Sequence, residues 1–374
     1  MGKCGFCDTI STVRAAIADT WRPIITGGKD MRSKTAVQIA LLSGAASLVG
    51  CTQGGKTGEQ SGAASSGGEL PEYIASFDQE SVIGSPTIVD CTLSGGEESQ
   101  CVSITVGPAP ANQKIGPFCP RNIADGPEKS GIWLESAKVY DADGPFIERL
   151  AQFYDDPDFT LHDISTGNIR VTDSKIACEA AARPDVAEEY RNYCVECEVS
   201  YVEEGATQTY VIPLTPVNAE SVSPRVSRSG VGLAFSGARF DAPAPTDAIL
   251  AAHTLAPFDD CGGHVNTAVG YHLHAATDCL LTKDLVEGHA PKIGIALDGY
   301  PLLARLNLDG KEPEDLNMCR GHDLEGIGYH YHVDEPGSNA ILPCHTGQTG
   351  CALSDPDAKC DASADAQRGP PPRG

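Results

Sequence analysis

The sequence predicts an α+β protein, predominantly antiparallel β, that is stapled by disulfides. Fifteen of its 374 residues are Cys, and so many are rare in a reduced cytosol but ordinary in an exported protein. Short β-branched runs such as residues 87–91 and 101–106 flank a Gly- and Ser-rich turn, which is typical of a hairpin. With 41% hydrophobic and 21% charged residues, the chain has enough apolar content for a globular core.

The charge balance and the motif content exclude several classes of function. The chain carries 51 acidic and 27 basic residues, a net charge of −24, which argues against nucleic-acid binding because phosphate contacts need clustered Lys and Arg. The sequence also lacks a Gly-x-Ser-x-Gly elbow, a phosphate-binding P-loop, a His-Glu-x-x-His zinc motif and a dinucleotide fingerprint. The common catalytic motifs are therefore absent, and none of them identifies a catalytic residue.

A secretion signal is predicted at residues 31–50, which read MRSKTAVQIALLSGAASLVG and precede Cys51. Arg32 and Lys34 form a positive start, and residues 35–48 form an apolar stretch too short to span a bilayer. Residues 48–51, LVGC, resemble the lipobox of bacterial lipoproteins. The resemblance implies cleavage before Cys51 and its modification with acyl chains such as palmitate. The alternative is a buried apolar helix that ends in Cys.

The lipobox sets the expected organisation of the N-terminal region. Residues 1–30 are then an extension upstream of the true start, and residues 51–70 are a flexible Gly- and Ser-rich tether. The mature chain would carry a net charge of −27. Because Thr52 rather than Asp follows Cys51, the protein is expected to be exported to the periplasm and sorted to the outer membrane.

An even number of cysteines, twelve, remains after the leader and the anchor are set aside, so up to six disulfides are predicted. Cys91 and Cys101 flank the first predicted hairpin and are close enough to be joined across it. Residues 193–201 alternate like a strand, which places Cys194 and Cys197 on opposite faces and in separate disulfides. The candidates are Cys91, Cys101, Cys119, Cys178, Cys194, Cys197, Cys261, Cys279, Cys319, Cys344, Cys351 and Cys360.

The mature chain divides by composition into a β-rich part over residues 71–226, a His-rich core over 227–351 and a tail over 352–374. Segments 145–154 and 175–193 in the first part have helical composition, and the tail is predicted to be disordered because it ends GPPPRG. Nine of the ten histidines lie in the core. Disulfides could join the first two parts into one domain.

The His-rich core contains an internal duplication. Residues 261–274 read CGGHVNTAVGYHLH and residues 319–332 read CRGHDLEGIGYHYH, and seven of the fourteen positions are identical at an offset of 58 residues. In an extended strand the two His of each GYHxH lie on one face, and the third His of each copy would come from the preceding Gly-containing loop. The copies could build two three-His sites or one shared site.

Such a set of imidazoles suits a transition metal, and Cu or Zn is predicted. His253 and His289 lie outside the repeated unit and are not predicted to be ligands. The nearby cysteines are expected to be oxidised and so unavailable as thiolates. The predicted ligands are His264, His272, His274, His322, His330, His332 and His345.

Four motifs carry a resemblance to a known family: DDCGGH at 259–264, GYHLH at 270–274, IALDGYP at 295–301 and PCHTG at 343–347. On these motifs the chain resembles the YHYH domain proteins, which are exported bacterial proteins, over about residues 85–350. The first copy departs from the name motif with Leu273 in place of Tyr. The resemblance implies an architecture and a site, but no particular reaction.

The leading hypothesis is a membrane-anchored envelope or cell-surface lipoprotein that binds a transition metal. One alternative is a disulfide-rich domain that binds a surface protein or glycan and uses its histidines structurally. Another is a metal-dependent hydrolase or copper oxidoreductase, with Asp298 as an acid–base candidate or simply a turn residue. Asp259 would either orient a ligating imidazole or be solvated. The membrane, through Cys51, is the predicted partner.

Overall fold

The computed structural model describes residues 69–183, 185–222, 229–282 and 288–367. The predicted signal peptide, Cys51 and residues 368–374 lie outside these ranges. The described residues belong to one compact unit that spans 65–374, so the predicted change at residue 226 does not separate two units. Within the described ranges, no helix combines the length and the apolar character needed to cross a membrane.

A four-stranded antiparallel sheet combines strands from both ends of the described chain. It contains β1 (Thr87–Thr92), β2 (Glu98–Val106), β5 (Gln208–Pro213) and β14 (Cys351–Leu353), in the order β1-β2-β5-β14. The predicted hairpin over residues 87–106 is therefore confirmed. Because β14 follows the His-rich segment and pairs with β5, the two compositional parts share one sheet.

Helices are short, and only 15% of the structure is helical, so the protein is mostly antiparallel sheet and the α+β description fits only loosely. The predicted helical segment 145–154 forms α1 (Gly144–Glu148) and α2 (Leu150–Phe153), whereas the α-helix in segment 175–193 is shorter than predicted and forms α3 (Lys175–Ala181). The other α-helices of the described residues are α4 (Thr246–Ala251) and α5 (Ala362–Gln367). Short 3-10 helices span Glu72–Ser76, Pro127–Lys129, Glu188–Tyr190, Val199–Tyr201 and Pro336–Ser338. A small hairpin joins β3 (Ile132–Glu135) and β4 (Lys138–Asp141).

An eight-stranded sheet forms the rest of the fold and has a palindromic order, β12-β13-β11-β10-β6-β7-β9-β8. From the central antiparallel pair β6–β10 outwards, each half continues with an antiparallel, a parallel and an antiparallel pairing. The strands are β6 (Gly232–Ala234), β7 (Arg239–Phe240), β8 (Gly263–Asn266), β9 (Gly270–Leu273), β10 (Lys292–Ala296), β11 (Pro301–Leu303), β12 (Gly321–Leu324) and β13 (Gly328–His332).

This palindrome shows that the duplication is larger than the two predicted hairpins. Residues 231–242, VGLAFSGARFDA, match residues 293–304, IGIALDGYPLLA, at an offset of 62 with four of twelve positions identical. Gly237 and Gly299 occupy equivalent turns with φ of +88° and +87°, a conformation that glycine adopts without a steric penalty. Each half of the sheet is therefore one copy of a four-stranded unit.

The two sheets pack face to face through one apolar cluster. Val102 and Ile104 of β2 and Ile212 of β5 lie in it with Leu233 of β6 and Ile295 of β10, and all are at most 2% exposed. These side chains exclude water between the layers, which is the main stabilising contribution of such packing. The contact fixes the centre of the eight-stranded sheet and leaves its two end hairpins at the periphery.

All twelve candidate cysteines form disulfides. Cys91–Cys101 joins β1 to β2 as predicted, and Cys194 and Cys197 bond to different partners as predicted. The prediction of a strand over residues 193–201 is wrong, because Val199–Tyr201 is a 3-10 helix and Cys194 makes only isolated bridges. The six pairs are Cys91–Cys101, Cys119–Cys194, Cys178–Cys197, Cys261–Cys279, Cys319–Cys344 and Cys351–Cys360.

The beginning of the predicted disordered tail is ordered. Cys360 is bonded to Cys351, the following residue Asp361 forms a bridge with Thr92 at the end of β1, and α5 follows directly. The prediction of disorder from residue 352 is therefore wrong for 352–367. The disulfide holds this segment against the four-stranded sheet, which composition alone did not indicate.

Candidate metal centres

The two histidine-bearing hairpins form the two ends of the eight-stranded sheet. In β8–β9, His264 lies directly opposite His272, and in β12–β13, His322 lies directly opposite His330. Directly opposed residues of an antiparallel pair project from the same face, so their imidazoles meet. The prediction that His264 and His322 come from loops is therefore wrong: both lie on strands. The copies form two clusters at opposite ends of the sheet and not one shared site.

The first cluster consists of His264, His272 and His274, whose ligand atoms all lie within 4.8 Å of one another. The three ring centroids are 4.7 to 5.0 Å apart and form a nearly equilateral triangle. His272 Nδ1 is 3.0 Å from the Gly270 carbonyl oxygen, and His274 Nδ1 is 2.6 Å from that of Ala242. A carbonyl only accepts, so both Nδ1 atoms carry hydrogen and both Nε2 atoms keep a free lone pair.

The second cluster has four buried members, His289, His322, His330 and His332. His330 Nδ1 donates to the carbonyl oxygen of Gly328 at 2.8 Å, and His332 Nδ1 donates to that of Ala304 at 2.9 Å. His322 Nδ1 lies 2.7 Å from the carboxylate of Asp315. These contacts place the hydrogen on Nδ1 of all three residues and leave their Nε2 atoms as acceptors.

The Nε2 atoms of the second cluster converge on one another. His330 Nε2 lies 2.9 Å from both His322 Nε2 and His289 Nε2, and His332 Nε2 lies 3.1 Å from His289 Nε2. Two unprotonated nitrogens, as on His322 and His330, repel at this distance unless a cation lies between them. Ligands about 2.0–2.1 Å from a tetrahedral zinc are about 3.3 Å apart, so these three distances are close to those between ligands of one metal ion.

The imidazole orientations are part of the duplication. His272 and His330 each bond the carbonyl two residues earlier, at Gly270 and Gly328, and these two glycines have φ of +78° and +79°. His274 and His332 bond the carbonyls of Ala242 and Ala304, which are equivalent alanines just after β7 and β11. The same backbone groups therefore fix the same tautomer in both clusters.

Burial favours the neutral form of six of these imidazoles. It lowers the pKa of His272 and His289 below the ordinary value, and it holds the pKa of His264 and His274 well below that value. In the second cluster, burial lowers the pKa of His330 and His332 to about 4. Since a metal binds only the deprotonated ring, the two sites are ready to coordinate an ion at neutral pH. The histidines concerned are His264, His272, His274, His289, His330 and His332.

Asp259 supports the loop before β8 and is not a partner of an imidazole. It is 1% exposed, and its carboxylate accepts backbone N–H groups from Gly116, Cys261 and Gly263 at 3.0–3.2 Å and the Tyr271 hydroxyl at 3.0 Å. Burial raises the pKa of Asp259. The suggestions that it orients an imidazole or is solvated are therefore both wrong.

The tyrosines of the motif face away from the histidines. Tyr331 donates to the buried carboxylate of Asp298 at 2.5 Å, and Tyr329 bonds Thr346 at 2.7 Å and the amide of Asn317 at 2.8 Å. Asp298 also accepts the backbone N–H of Gly347 at 3.0 Å. These contacts hold the second hairpin to the following loop, and none of them reaches the four imidazoles.

The ligand prediction fails for two histidines, His345 and His289. His345, a predicted ligand, is outside both groups, and its Nε2 lies 2.8 Å from the carbonyl oxygen of Val231. His289, which was not selected, completes the second cluster. The only available signal was its position three residues before the repeated strand β10, and the equivalent segment 221–231 of the first copy contains no His.

Residues 209–315 match the family model described as YHYH protein, which confirms the predicted resemblance over this segment. The match is narrower than the predicted span of 85–350: it includes the first cluster and His289 but ends before β12. Searches of curated proteins and of solved structures gave no significant match.

Proposed function

We propose that this protein is an envelope lipoprotein that binds two transition-metal ions, one at each histidine cluster, with Cu or Zn as the metal. The observation that carries the proposal is the convergence of His289, His322, His330 and His332 through Nε2, with Nδ1 of three of them held by a carbonyl or carboxylate. Neutral imidazole nitrogens are preferred ligands of both metals.

The same observation disfavours purely structural histidines. A buried ring nitrogen normally has a hydrogen-bond partner, either a protein group or an ordered water. Nδ1 of His322, His330 and His332 has such a partner, but their Nε2 atoms face other lone pairs or His289. If Nε2 of His289 carries a hydrogen, it can donate a hydrogen bond in one of these contacts. A metal ion, by contrast, can accept the lone pairs of all four Nε2 atoms.

The test is the metal content of the full chain produced in an oxidising compartment. We expect two equivalents of Cu or Zn per chain by elemental mass spectrometry, and one equivalent in either His272→Ala/His274→Ala or His330→Ala/His332→Ala. The metal kept at the untouched cluster shows that each double variant is folded. His253→Ala is the matched control, because His253 pairs with Asp156 away from both clusters. Wild-type protein that takes up neither metal at micromolar concentration would contradict the proposal.

The envelope location rests on the sequence of residues 31–51 and lies outside the described part of the structure. The proposal is that acyl chains on Cys51 anchor the protein in the outer membrane, with the tether separating the folded unit from the bilayer. The oxidising compartment that this implies is consistent with six disulfides. If Cys51→Ser protein still fractionates with membranes, the anchor is not Cys51.

A further inference from the structure

A cavity of about 320 Å³ borders the first cluster and has that cluster in its wall. His264, His272 and His274 line it together with α4 and the segment that follows β7. The cavity has the size of the smaller pockets that bind small molecules, about 300 Å³. A metal ion at the first cluster would therefore lie at the boundary between the protein and an accessible space.

Three protein ligands leave a tetrahedral ion with one free coordination position. Among the described residues, no Asp, Glu, Cys or further His joins the ligand group of the first cluster. In the second cluster His289 supplies the fourth nitrogen, and residues 221–231 offer no equivalent in the first copy. Closed four-ligand sites are typical of structural metals, whereas three-ligand sites with an open position are typical of catalytic metals.

We propose that the first cluster is an open metal centre whose free coordination position binds a small molecule held in the adjoining cavity, while the second cluster is a closed structural centre. This inference rests on the proposed metal binding. The small molecule has one metal-binding oxygen or nitrogen atom on an apolar body, because the cavity wall around the histidines is largely apolar.

The chemistry of the wall defines that ligand. Most of the residues around the three histidines are apolar or small, and they include Phe118, Val195, Pro243, Ala248, Ile249 and Pro257. The charged residues of the wall each have an ion-pair partner: Asp241 pairs with Arg239 at 3.0 Å, Arg183 with Asp185 at 2.7 Å, and Glu196 with Arg121. Paired charges leave the wall without a counter-ion for a strongly charged ligand.

Cobalt(II) tests the inference because its visible absorption reports the number and kind of its ligands. Three proteins are loaded with cobalt: the wild-type full chain and two double variants. His330→Ala/His332→Ala keeps only the first cluster, and His272→Ala/His274→Ala keeps only the second. Azide and 4-phenylimidazole are the probes. We expect both to change the spectrum of the first cluster and neither to change that of the second.

The cavity is tested separately by Ala248→Trp on α4, with the exposed neighbour Asp247→Trp as the matched control. Filling the cavity should weaken 4-phenylimidazole binding by at least about tenfold, as expected for a steric misfit in a pocket. It should leave cobalt and azide binding unchanged, since azide needs only the coordination position. The Asp247→Trp protein should bind both probes like the wild type.

The outcomes separate this inference from the metal proposal. If neither cluster takes up cobalt, Cu or Zn, the proposed function itself fails. If cobalt binds at both clusters but azide changes neither spectrum, or changes the second as strongly as the first, only the open centre is contradicted. If azide responds as expected but Ala248→Trp binds 4-phenylimidazole normally, the cavity does not hold the ligand and the inference is overturned on that point.

Discussion

The two ends of the eight-stranded sheet have the same strand pairings and the same three histidines, but they differ in what surrounds them. The second end adds His289 to its cluster and Asp315 behind His322, whereas the first end borders a cavity and has Pro257 at the position equivalent to Asp315. The duplicated scaffold therefore fixes where the imidazoles lie, and a few non-repeated residues determine whether the site is closed or open.

The second hairpin, β12–β13, also makes more polar contacts with its surroundings than the first hairpin, β8–β9. Arg320 takes the place of Gly262, and its guanidinium donates to the carbonyls of His332 at 3.0 Å and Val333 at 3.1 Å. The same side chain pairs with Asp334 at 3.2 Å and with Glu312. These contacts immobilise the strand that carries two of the four imidazoles, as a structural centre requires, and Gly262 can supply none of them.

Removing His289 should make the second cluster behave like the first. A structural zinc site contributes about 10–16 kcal/mol through four ligands, or about 2.5–4 kcal/mol for each ligand. Loss of one ligand should therefore weaken metal binding on the order of 100-fold. His289→Ala is introduced into His272→Ala/His274→Ala protein, so that only the second cluster is measured by competition with a chelator.

The same variant should also gain an azide response in its cobalt spectrum, because the fourth position becomes free. His253→Ala in the same background is the control and should keep both the affinity and the azide-insensitive spectrum. Unchanged affinity after loss of His289 would mean that the second cluster is also a three-ligand site, and the contrast between the two ends would disappear.

The sequence predicted the three histidines that the two ends of the sheet share. It did not predict that His289 joins only the second cluster. Alternation in the YHYH segment is local, so the convergence of His330 and His332 followed from strand geometry. The placement of His289 depends on the β10–β11 and β11–β13 pairings, which are non-local and carry no His-specific pattern. His345 was selected for its residue type, but the fold directs it to the carbonyl of Val231.

The disulfide pairs, too, could be predicted from the sequence only where local structure brings the two cysteines together. Cys91–Cys101 could be predicted because a short hairpin brings its two ends together. Cys119–Cys194, with a sequence separation of 75, depends on the folded arrangement of the whole β-rich part. The Cys351–Cys360 pair is local, but the Asp- and Ala-rich composition between its cysteines gave no sign of order.

Asp315 offers a smaller perturbation that acts only on the second end. Its carboxylate bonds Nδ1 of His322, which fixes the ring and increases the basicity of Nε2. Asp315→Asn should therefore lower the metal affinity of the second cluster by about 10–100-fold and leave the first cluster unchanged. The Asp315 side chain is 70% exposed, so we expect no loss of folding.

Glu314→Gln is the matched control for Asp315→Asn, since it removes one negative charge from the adjacent exposed residue. Chelator competition on each double-histidine variant gives the two affinities separately. Equal losses from Asp315→Asn and Glu314→Gln would indicate a general effect of charge and not an effect on the His322 ring.

The smallest expected difference concerns the equivalent tyrosines of the two hairpins. Tyr271 donates to the buried carboxylate of Asp259, whereas Tyr329 bonds the neutral side chains of Asn317 and Thr346. Hydrogen bonds to a charged group contribute about 1.5–3 kcal/mol and neutral ones about 0.5–1.5 kcal/mol. Tyr271→Phe should therefore lower the free energy of unfolding more than Tyr329→Phe.

Denaturant unfolding with the disulfides intact measures both variants, and Tyr300→Phe serves as a third reference because the Tyr300 hydroxyl makes a single exposed bond, to Asn218. We expect the order of destabilisation to be Tyr271→Phe, then Tyr329→Phe, then Tyr300→Phe. If Tyr271→Phe and Tyr329→Phe cost the same, the acceptor's charge does not matter, and Asp259 contributes through its backbone contacts alone. The difference between the two ends would then lie only in the residues around the imidazoles.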